Sequence, residues 1–503
     1  MERRKFLKTG GLAMAGIALM PELLQSCGVN SKDGISLMMN HFGVSNADLK
    51  KVLEVALERG GDYADLFFEH TFNNSLGLRD GEVNRTASNI DFGVGIRVLS
   101  GEQTGYAYVE DVNLKEMIQA ARTASRIADG ASNAAPVNIS EKQFKNYYPV
   151  VNTWEDITVK DKMPYVQKLN DRIFQLDARV TKATISLVDS TSFILFFNSE
   201  GTLCCDYRPM VVMSATCIME QNGRLENGSS SRAYRKGYEF LNDEIIETIA
   251  QEAVKKTAVM FEAIRPKGGE MPVVMASGGS GILLHEAIGH AFEADFNRKN
   301  TSIFSDKLGK QICNTNIHVI DDGTVEHSRG AVNFDDEGTE GQKTYIVKDG
   351  ILTSYLHDRI SAKYYGIPST GNGRRQSFRF SPMPRMRVTY MENGNLPESE
   401  LIAQVKNGVY VDNFTNGQVQ IGAGDFTFFV KTGYLIENGK LTQAIKDINI
   451  IGNGPKALAD IAMVGNNLRI DESSWTCGKN GQGAPVSQGL PSVLVSKLIV
   501  GGE

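Results

Sequence analysis

The chain has 503 residues, 41% of them hydrophobic and 22% charged, with a formal net charge of -6. That length exceeds one ordinary hydrophobic core and predicts two or three domains, while the composition excludes a disordered or multispanning chain. The net negative charge argues against a nucleic-acid partner, which needs a concentrated basic surface.

Residues 1–30 read as an address rather than as part of the fold. Arg3 and Arg4, followed by Lys5-Phe6-Leu7-Lys8 and an apolar, small-residue stretch, resemble a twin-arginine export signal. Pro21 and Glu22 interrupt the stretch and make it a poor membrane span. "LLQSC" resembles a lipoprotein cleavage box with Cys27 as the lipidated residue, although Gln25 is not the usual small or aliphatic choice. The expectation is a signal-bearing, exported protein, periplasmic or anchored to a membrane as a lipoprotein; the plain alternative is a frayed amphipathic N-terminus. Lipidation would leave Cys204, Cys205, Cys217, Cys313 and Cys477. An odd set with two adjacent members is not a disulfide scaffold.

The remainder predicts an α+β fold in two parts. Residues 31–265 form an N-terminal α+β domain and 266–503 a C-terminal domain rich in antiparallel sheet. In the first, residues 47–60 carry apolar positions at helical spacing. Strands follow over 63–110, broken at Asp80-Gly81 and Ser100-Gly101, and then a helix over about 112–128. The order returns: a helix over 161–178, strands over 182–220 turning at Asn198 to Gly201, and a helix over about 241–261. This reads either as a duplicated helix–strands–helix unit or as chance similarity. "RPKGGE", residues 265–270, marks the junction, and "MPVVMA" is a short buried strand. Gly278, Gly279 and Gly281 turn the chain into a helix that begins near Ile282. Beyond 316, strands dominate, with hairpin turns at Asp349-Gly350 and Asn438-Gly439.

That helix carries the chemistry. "GGSGILLHEAIGHAFEADF", residues 278–296, holds His285, Glu286 and His290. A regular helix turns about 100° per residue, so residues five apart diverge by roughly 140° and cannot both face one ion. Either the helix ends between them or it holds an extra-residue bulge, a feature frequent at functional sites. Gly289 supplies a pliable backbone. The bland alternative is one buried, hydrogen-bonded histidine and one exposed. Glu286 lies on a largely apolar segment where a carboxylate needs a partner, and Glu293, three residues after His290, is placed to hold that histidine's second nitrogen. A catalytic zinc takes three protein ligands. Cys477, in the glycine-rich "SSWTCGKNGQGAPVSQGLP" with Lys479 two residues on, is either the third ligand or a small buried thiol in a tight turn.

Five segments together resemble the TldD and PmbA family of metallopeptidases, on the metal-bearing TldD side: "LLHEAIGHAFEADF", "NFDDEGT", "STGNGRR", "DFTFFVKTGYLIENGKL" and "TCGKNGQGAPVSQGLP". The resemblance implies a His-Glu-x-x-x-His zinc motif at His285, Glu286 and His290, with Cys477 as third ligand and one zinc ion per chain. It also implies a two-domain protein that pairs around a peptide-holding cleft, as a homodimer or as a heterodimer with a metal-free PmbA-like chain. "PRMRVTYMENG" departs from the family's usual Arg-Met-Thr-Asn-Thr run.

The expected activity is zinc-dependent hydrolysis of peptide bonds in extended or unfolded peptides. The metal polarises water and carbonyl, and Glu286 moves the proton. The extended substrate would lie along an exposed strand edge. Arg374, Arg375 and Arg379 read either as a clamp for a peptide carboxylate or as a solvated face. Asp335, Asp336 and Glu337 read either as a hard-cation site or as a turn offering acids to backbone amides; His318, His327 and His357 have no ligand spacing and read as structural or surface residues. The main rival is a non-catalytic peptide-binding or partner subunit. A second makes Cys477 a histidine-activated nucleophile. A dehydrogenase is excluded by the lack of an early glycine fingerprint.

Overall fold

The computed structural model describes residues 34–130 and 138–502. Helix Gly34–Phe42 buries Ile35, Met38 and Phe42. Helix Asn46–Ala56 starts at a capping box, in which the Ser45 hydroxyl accepts from the Asp48 N–H and the Asp48 carboxylate accepts from the Ser45 N–H. Strands β1 (Tyr63–Arg79), β2 (Glu82–Ser100) and β3 (Gln103–Val109) then form an antiparallel meander. Its first turn places Asp80 and Gly81 at φ 51° and 83°, the left-handed pair that a two-residue hairpin loop requires. Helix Leu114–Ser125 returns over β2 and β3 and buries Met117, Ala120, Ala121 and Ala124.

The order then repeats. After the two-residue strand β4 (Ser140–Glu141) come helix Val159–Leu176, strands β5 (Val180–Asn198), β6 (Thr202–Gln221) and β7 (Arg224–Tyr234), and helix Asp243–Ala258. The two units do not build two sheets. Their strands share one, ordered β3-β2-β1-β5-β6, with β4 and β7 also paired to β6. The central joint is antiparallel, running from Asp65 opposite Asn198 to Arg79 opposite Thr184. Strand β7 was not anticipated. "RLENGSSSRAY" has no apolar alternation, and its place is set by the Asn222-Gly223 turn and backbone pairing to β6, under helix Asp243–Ala258.

In the second part, strand Gly269–Met275 lies inside a six-stranded sheet between strands Asn407–Gln420 and Val493–Gly501. A second six-stranded sheet includes strands Val319–Asp322, Val388–Met391 and Ser487–Leu490. Most joints are antiparallel, as expected. Two are parallel, Asn407–Gln420 with Gly269–Met275 and Val388–Met391 with Ser487–Leu490. The core around Val273, Leu284, Phe292, Val319, Val411 and Phe428 surrounds the histidine segment. Three short helices here, Arg359–Tyr365, Glu398–Ala403 and Gly454–Ala459, have no counterpart among the predicted elements.

The expectations of a signal, lipoprotein character, twin-arginine export, periplasm and membrane are corrected. Among the described residues no helix is long and apolar enough to cross a membrane. The longest, Val159–Leu176, carries Lys160, Asp161, Lys162, Lys168, Asp171 and Arg172. The segment on which the signal and the Cys27 lipid anchor were read lies outside the described residues.

Candidate metal centre

The five-residue histidine spacing has a direct structural answer. Leu283–Gly289 is a π-helix, and the His290 N–H donates to the His285 carbonyl five residues back. The wider turn brings both rings to one side, with centroids 5.1 Å apart and planes at 83°. A 3-10 turn, His290–Phe292, ends the segment. Gly289 serves a different purpose from the pliability expected of it. Its φ of -58° is ordinary. A Cβ there would sit 2.3 Å from Met386 Sδ and 2.8 Å from the Leu284 carbonyl, so it is space that demands glycine.

Cys477 arrives on a hairpin of Thr476–Lys479 and Gln482–Pro485, closed by Asn480 and Gly481 at φ 49° and 72°. Strand alternation buries Cys477 and Lys479 on one face and leaves Thr476 and Gly478 exposed on the other. Cys477 Sγ lies 3.4 Å from His290 Nε2. One donor atom from each of His285, His290 and Cys477 falls within 4.8 Å of the others, and all three residues are buried.

A buried ion-pair chain backs these groups. His290 Nδ1–H donates to Glu293 Oε2 at 3.0 Å, fixing the tautomer that turns Nε2 toward the sulfur. Lys479 Nζ reaches the same carboxylate oxygen at 3.0 Å, Asp295 at 2.7 Å and the Pro384 carbonyl at 3.0 Å. Arg385 donates to the Cys477 carbonyl. Glu293 was expected in this place. Lys479 and Arg385 were given no role, and for Lys479 the signal was its two-residue spacing from Cys477 on one strand face.

The electrostatics follow. Burial pushes the Cys217 thiol up to about 11 and the Cys313 thiol up to about 12. Burial acts the same way on Cys477, but His285 and His290 overcome it and hold this thiol well below its ordinary value. Burial likewise opposes charge on His290, and Glu293 and Cys477 outweigh it and hold the imidazole well above its usual range. Burial opposes charge on Glu293 too, yet Lys479 and His290 bring it down to about 2.

This donor set fits zinc. A tetrahedral ion with bonds of about 2.3 Å to sulfur and about 2.0–2.1 Å to nitrogen separates its ligand atoms by roughly 3.5 Å. The observed sulfur–nitrogen separation is 3.4 Å. His285 Nδ1 is buried without a hydrogen-bond partner, an orphan that has to be explained. Glu286 follows His285 and is half-buried. Its Cγ is what a Cβ on Gly417 would meet at 3.1 Å, which places it against strand Asn407–Gln420.

The other singled-out residues lie elsewhere. Asp335 accepts from the N–H groups of Glu337, Thr339 and Gly373 at 2.9–3.0 Å, which is the turn reading of "FDDEGT". Arg375 stacks over Phe67 and donates to the Asp336 carbonyl, and Arg379 pairs with Asp91 and Glu110. Arg374 is buried and donates to the carbonyls of Met386 and Pro485. None of the three is a solvated basic face. His318, His327 and His357 stand outside the His–His–Cys cluster; His318 accepts from the Asp349 N–H and His327 bonds the Arg235 carbonyl.

The chain is similar to known proteins over nearly its whole length. Family models described as PmbA/TldA metallopeptidase domain 1, central domain and C-terminal domain match residues 64–128, 152–261 and 268–502. A Haemophilus influenzae protein named metalloprotease TldD homolog is 38% identical over 92% of this chain and 98% of its own length. A Saccharolobus solfataricus protein named zinc metalloprotease TldD homolog is 28% identical, over 90% and 99%. Among solved structures, a Thermotoga maritima chain superposes with a TM-score of 0.73 at 23% identity, covering 91% of this chain and all of that one. TldE from Thermococcus kodakarensis superposes with a TM-score of 0.70 at 17% identity, over 90% of this chain and 100% of its own, a likeness of fold alone. Three consecutive domain matches and a 38% identity across nearly the whole length make the chain a member of the PmbA/TldD metallopeptidase family.

Proposed function

We propose that the chain is a zinc-dependent peptidase that hydrolyses peptide bonds in extended or unfolded segments. The observation that carries this reading is the convergence of His285, His290 and Cys477 donor atoms within 4.8 Å, with Glu286 the next residue on the same π-helix. These three residues hold one zinc ion, which supplies Lewis-acid polarisation when bound. Glu286 takes the proton of the attacking water and passes it to the leaving amine. Glu293 and Lys479 keep His290 oriented.

The strand beside Glu286 supports an extended substrate. Asn407–Gln420 pairs with Gly269–Met275 only over Val409, Tyr410 and Val411. From Phe414 to Gln420 its described partner is strand Asp425–Glu437 alone, which leaves one edge open to main-chain hydrogen bonds. The family partnership in this reading is a second copy or a metal-free PmbA-like chain, and the likeness of fold to TldE supports it.

The test is metal analysis and peptide cleavage on the purified wild type, Glu286→Gln and Cys477→Ser. Glu286→Gln keeps stoichiometric zinc and loses about 10²–10⁴-fold in cleavage rate. Cys477→Ser loses the metal. Full cleavage by Glu286→Gln, or undiminished zinc in Cys477→Ser, refutes the roles assigned. Tight zinc binding with no cleavage of any unfolded peptide by the wild type leaves the non-catalytic partner reading instead.

A further inference from the structure

A second constellation lies where the first sheet meets the C-terminal domain, on the far side of the Cys477 hairpin. A cavity of about 570 Å³ is lined by Arg208, Arg235, Arg329, Arg374, Arg375 and Arg379, together with residues that include Glu69, Asp91, Asp336, Thr476 and Pro485. Three of the arginines are neutralised within the fold. Arg208 pairs with Asp206 and Asp336, Arg379 with Asp91 and Glu110, and Arg375 approaches Asp65 at 3.6 Å. The other three are not. Arg329 donates to the Trp475 carbonyl and the Thr476 hydroxyl, and Arg374 to the Met386 and Pro485 carbonyls, all neutral acceptors. Arg235 is 5% exposed, and its Nε has no hydrogen-bond partner. Its guanidinium lies over the Tyr148 ring, 5.0 Å from the centroid, and among the described residues it forms no ion pair, with Asp206 and Asp336 acting on it only at longer range.

A buried guanidinium without a counter-charge is costly, and three around one cavity add mutual repulsion. Burial and neighbouring Arg235 bring Arg329 down to about 10, and at Arg374 burial, with Arg235 and Arg385, outweighs the opposing pull of Asp336 and brings it down to about 9. A fold that keeps three such groups at one wall of an accessible cavity is built for an anion that arrives from outside. The planar fork of arginine matches the paired oxygens of carboxylate and phosphate.

We propose that this cavity is a binding site for an oxyanion group, a phosphate or a carboxylate, held by Arg235, Arg329 and Arg374. The proposal does not depend on the peptidase reading, because none of these arginines bonds a residue of the His–His–Cys cluster. Two of them nevertheless grip the hairpin that carries Cys477, Arg329 at Trp475 and Thr476 and Arg374 at Pro485.

The experiment is thermal unfolding and calorimetric titration of the full chain with inorganic phosphate and, separately, with succinate, against sodium chloride at equal ionic strength. Saturable binding and a rise in Tm with either probe, beyond the chloride control, is the expected result. Response to phosphate alone identifies a phosphate-bearing ligand, and response to succinate alone a carboxylate-bearing one. No saturable response to either overturns the proposal. Arg235→Gln weakens binding about tenfold or more. The variant keeps the near-ultraviolet circular dichroism of the wild type, and an unchanged anion response overturns the assignment. Arg235→Lys, which keeps the charge and loses the fork, falls between wild type and Arg235→Gln, and identical behaviour of Lys and Gln removes Arg235 from the site.

Discussion

Glu293 shows how much of the centre rests on one carboxylate. Its Oε2 accepts from both His290 and Lys479, while Oε1 is buried with no partner. Replacing it with Gln preserves an acceptor for His290 Nδ1–H and removes the charge that makes the imidazole a better donor to a metal. Glu293→Gln is therefore expected to lower zinc affinity about 10–100-fold, measured by chelator competition, with the near-ultraviolet circular dichroism of the wild type retained. Unchanged affinity would reduce Glu293 to a packing role. This residue was legible because it stands one helical turn from His290. Its other partner was not, since Lys479 follows by 186 residues in the chain and only the hairpin's fold brings it back.

At the scale of elements, legibility follows how local the determining interaction is. The histidine spacing pointed to an irregular helix because two residues five apart cannot share a face in a regular one, and the chain resolves this with a π-helix. The Asp80-Gly81, Asp349-Gly350 and Asn438-Gly439 turns announced their hairpins because each turn carries its own left-handed residues. Strand β7 had only its Asn222-Gly223 turn, at φ 53° and 77°, with no apolar alternation beyond it. Parallel joints had no local sign. Nor did helix Gly34–Phe42, which docks through its last turn: His41 Nε2 meets His70 Nδ1 on β1 at 2.8 Å, among Phe42, Phe72, Phe92 and Phe193. Burial lowers both imidazoles, His41 to about 4 and His70, with a further push from His41, to about 3. A folded-state pKa below the ordinary 6.5 means that the unfolded chain binds more protons. The stability tied to this pair is complete above pH 6.5 and falls as pH drops through about 4. His41→Phe is expected to flatten the dependence of urea unfolding on pH in that window, and an unaltered slope would dissociate the pair from acid sensitivity.

Across the whole molecule, the two parts are joined by small apolar clusters, the largest packing Phe67, Ile194 and Phe196 on Phe334 and Phe378, and by buried charge. Arg97 on β2 donates through Nε to Asp65 on β1 at 2.8 Å and through Nη1 to Glu337 of the second part at 2.6 Å, and all three side chains are essentially unexposed. Glu337 in turn accepts from the Arg359 N–H, and its neighbour Asp336 pairs with Arg208 on β6. The acidic run was visible in the sequence, but its function as a bridge was not, because Arg97 lies 240 residues away and nothing near it in the chain marks the contact. Such a bridge specifies docking without adding much net stability, since desolvation consumes most of the Coulombic gain. Loss of one member is another matter. Arg97→Met leaves Glu337 buried beside Asp335 with no counter-charge, and burial with that neighbouring acid already raises the pKa of Asp335 to about 7. The expected cost is about 3–5 kcal/mol in urea unfolding, because a buried charge has lost its partner. The double variant Arg97→Met with Glu337→Leu removes the stranded charge as well, and Asp65 still has Arg375 within 3.6 Å. It should recover more than half of the loss, since an apolar pair of similar volume replaces a buried ion pair at little cost. If the double variant is instead as unstable as the sum of its parts, the joint depends on the specific hydrogen bonds of Glu337, including the one to Arg359, rather than on the balance of charge.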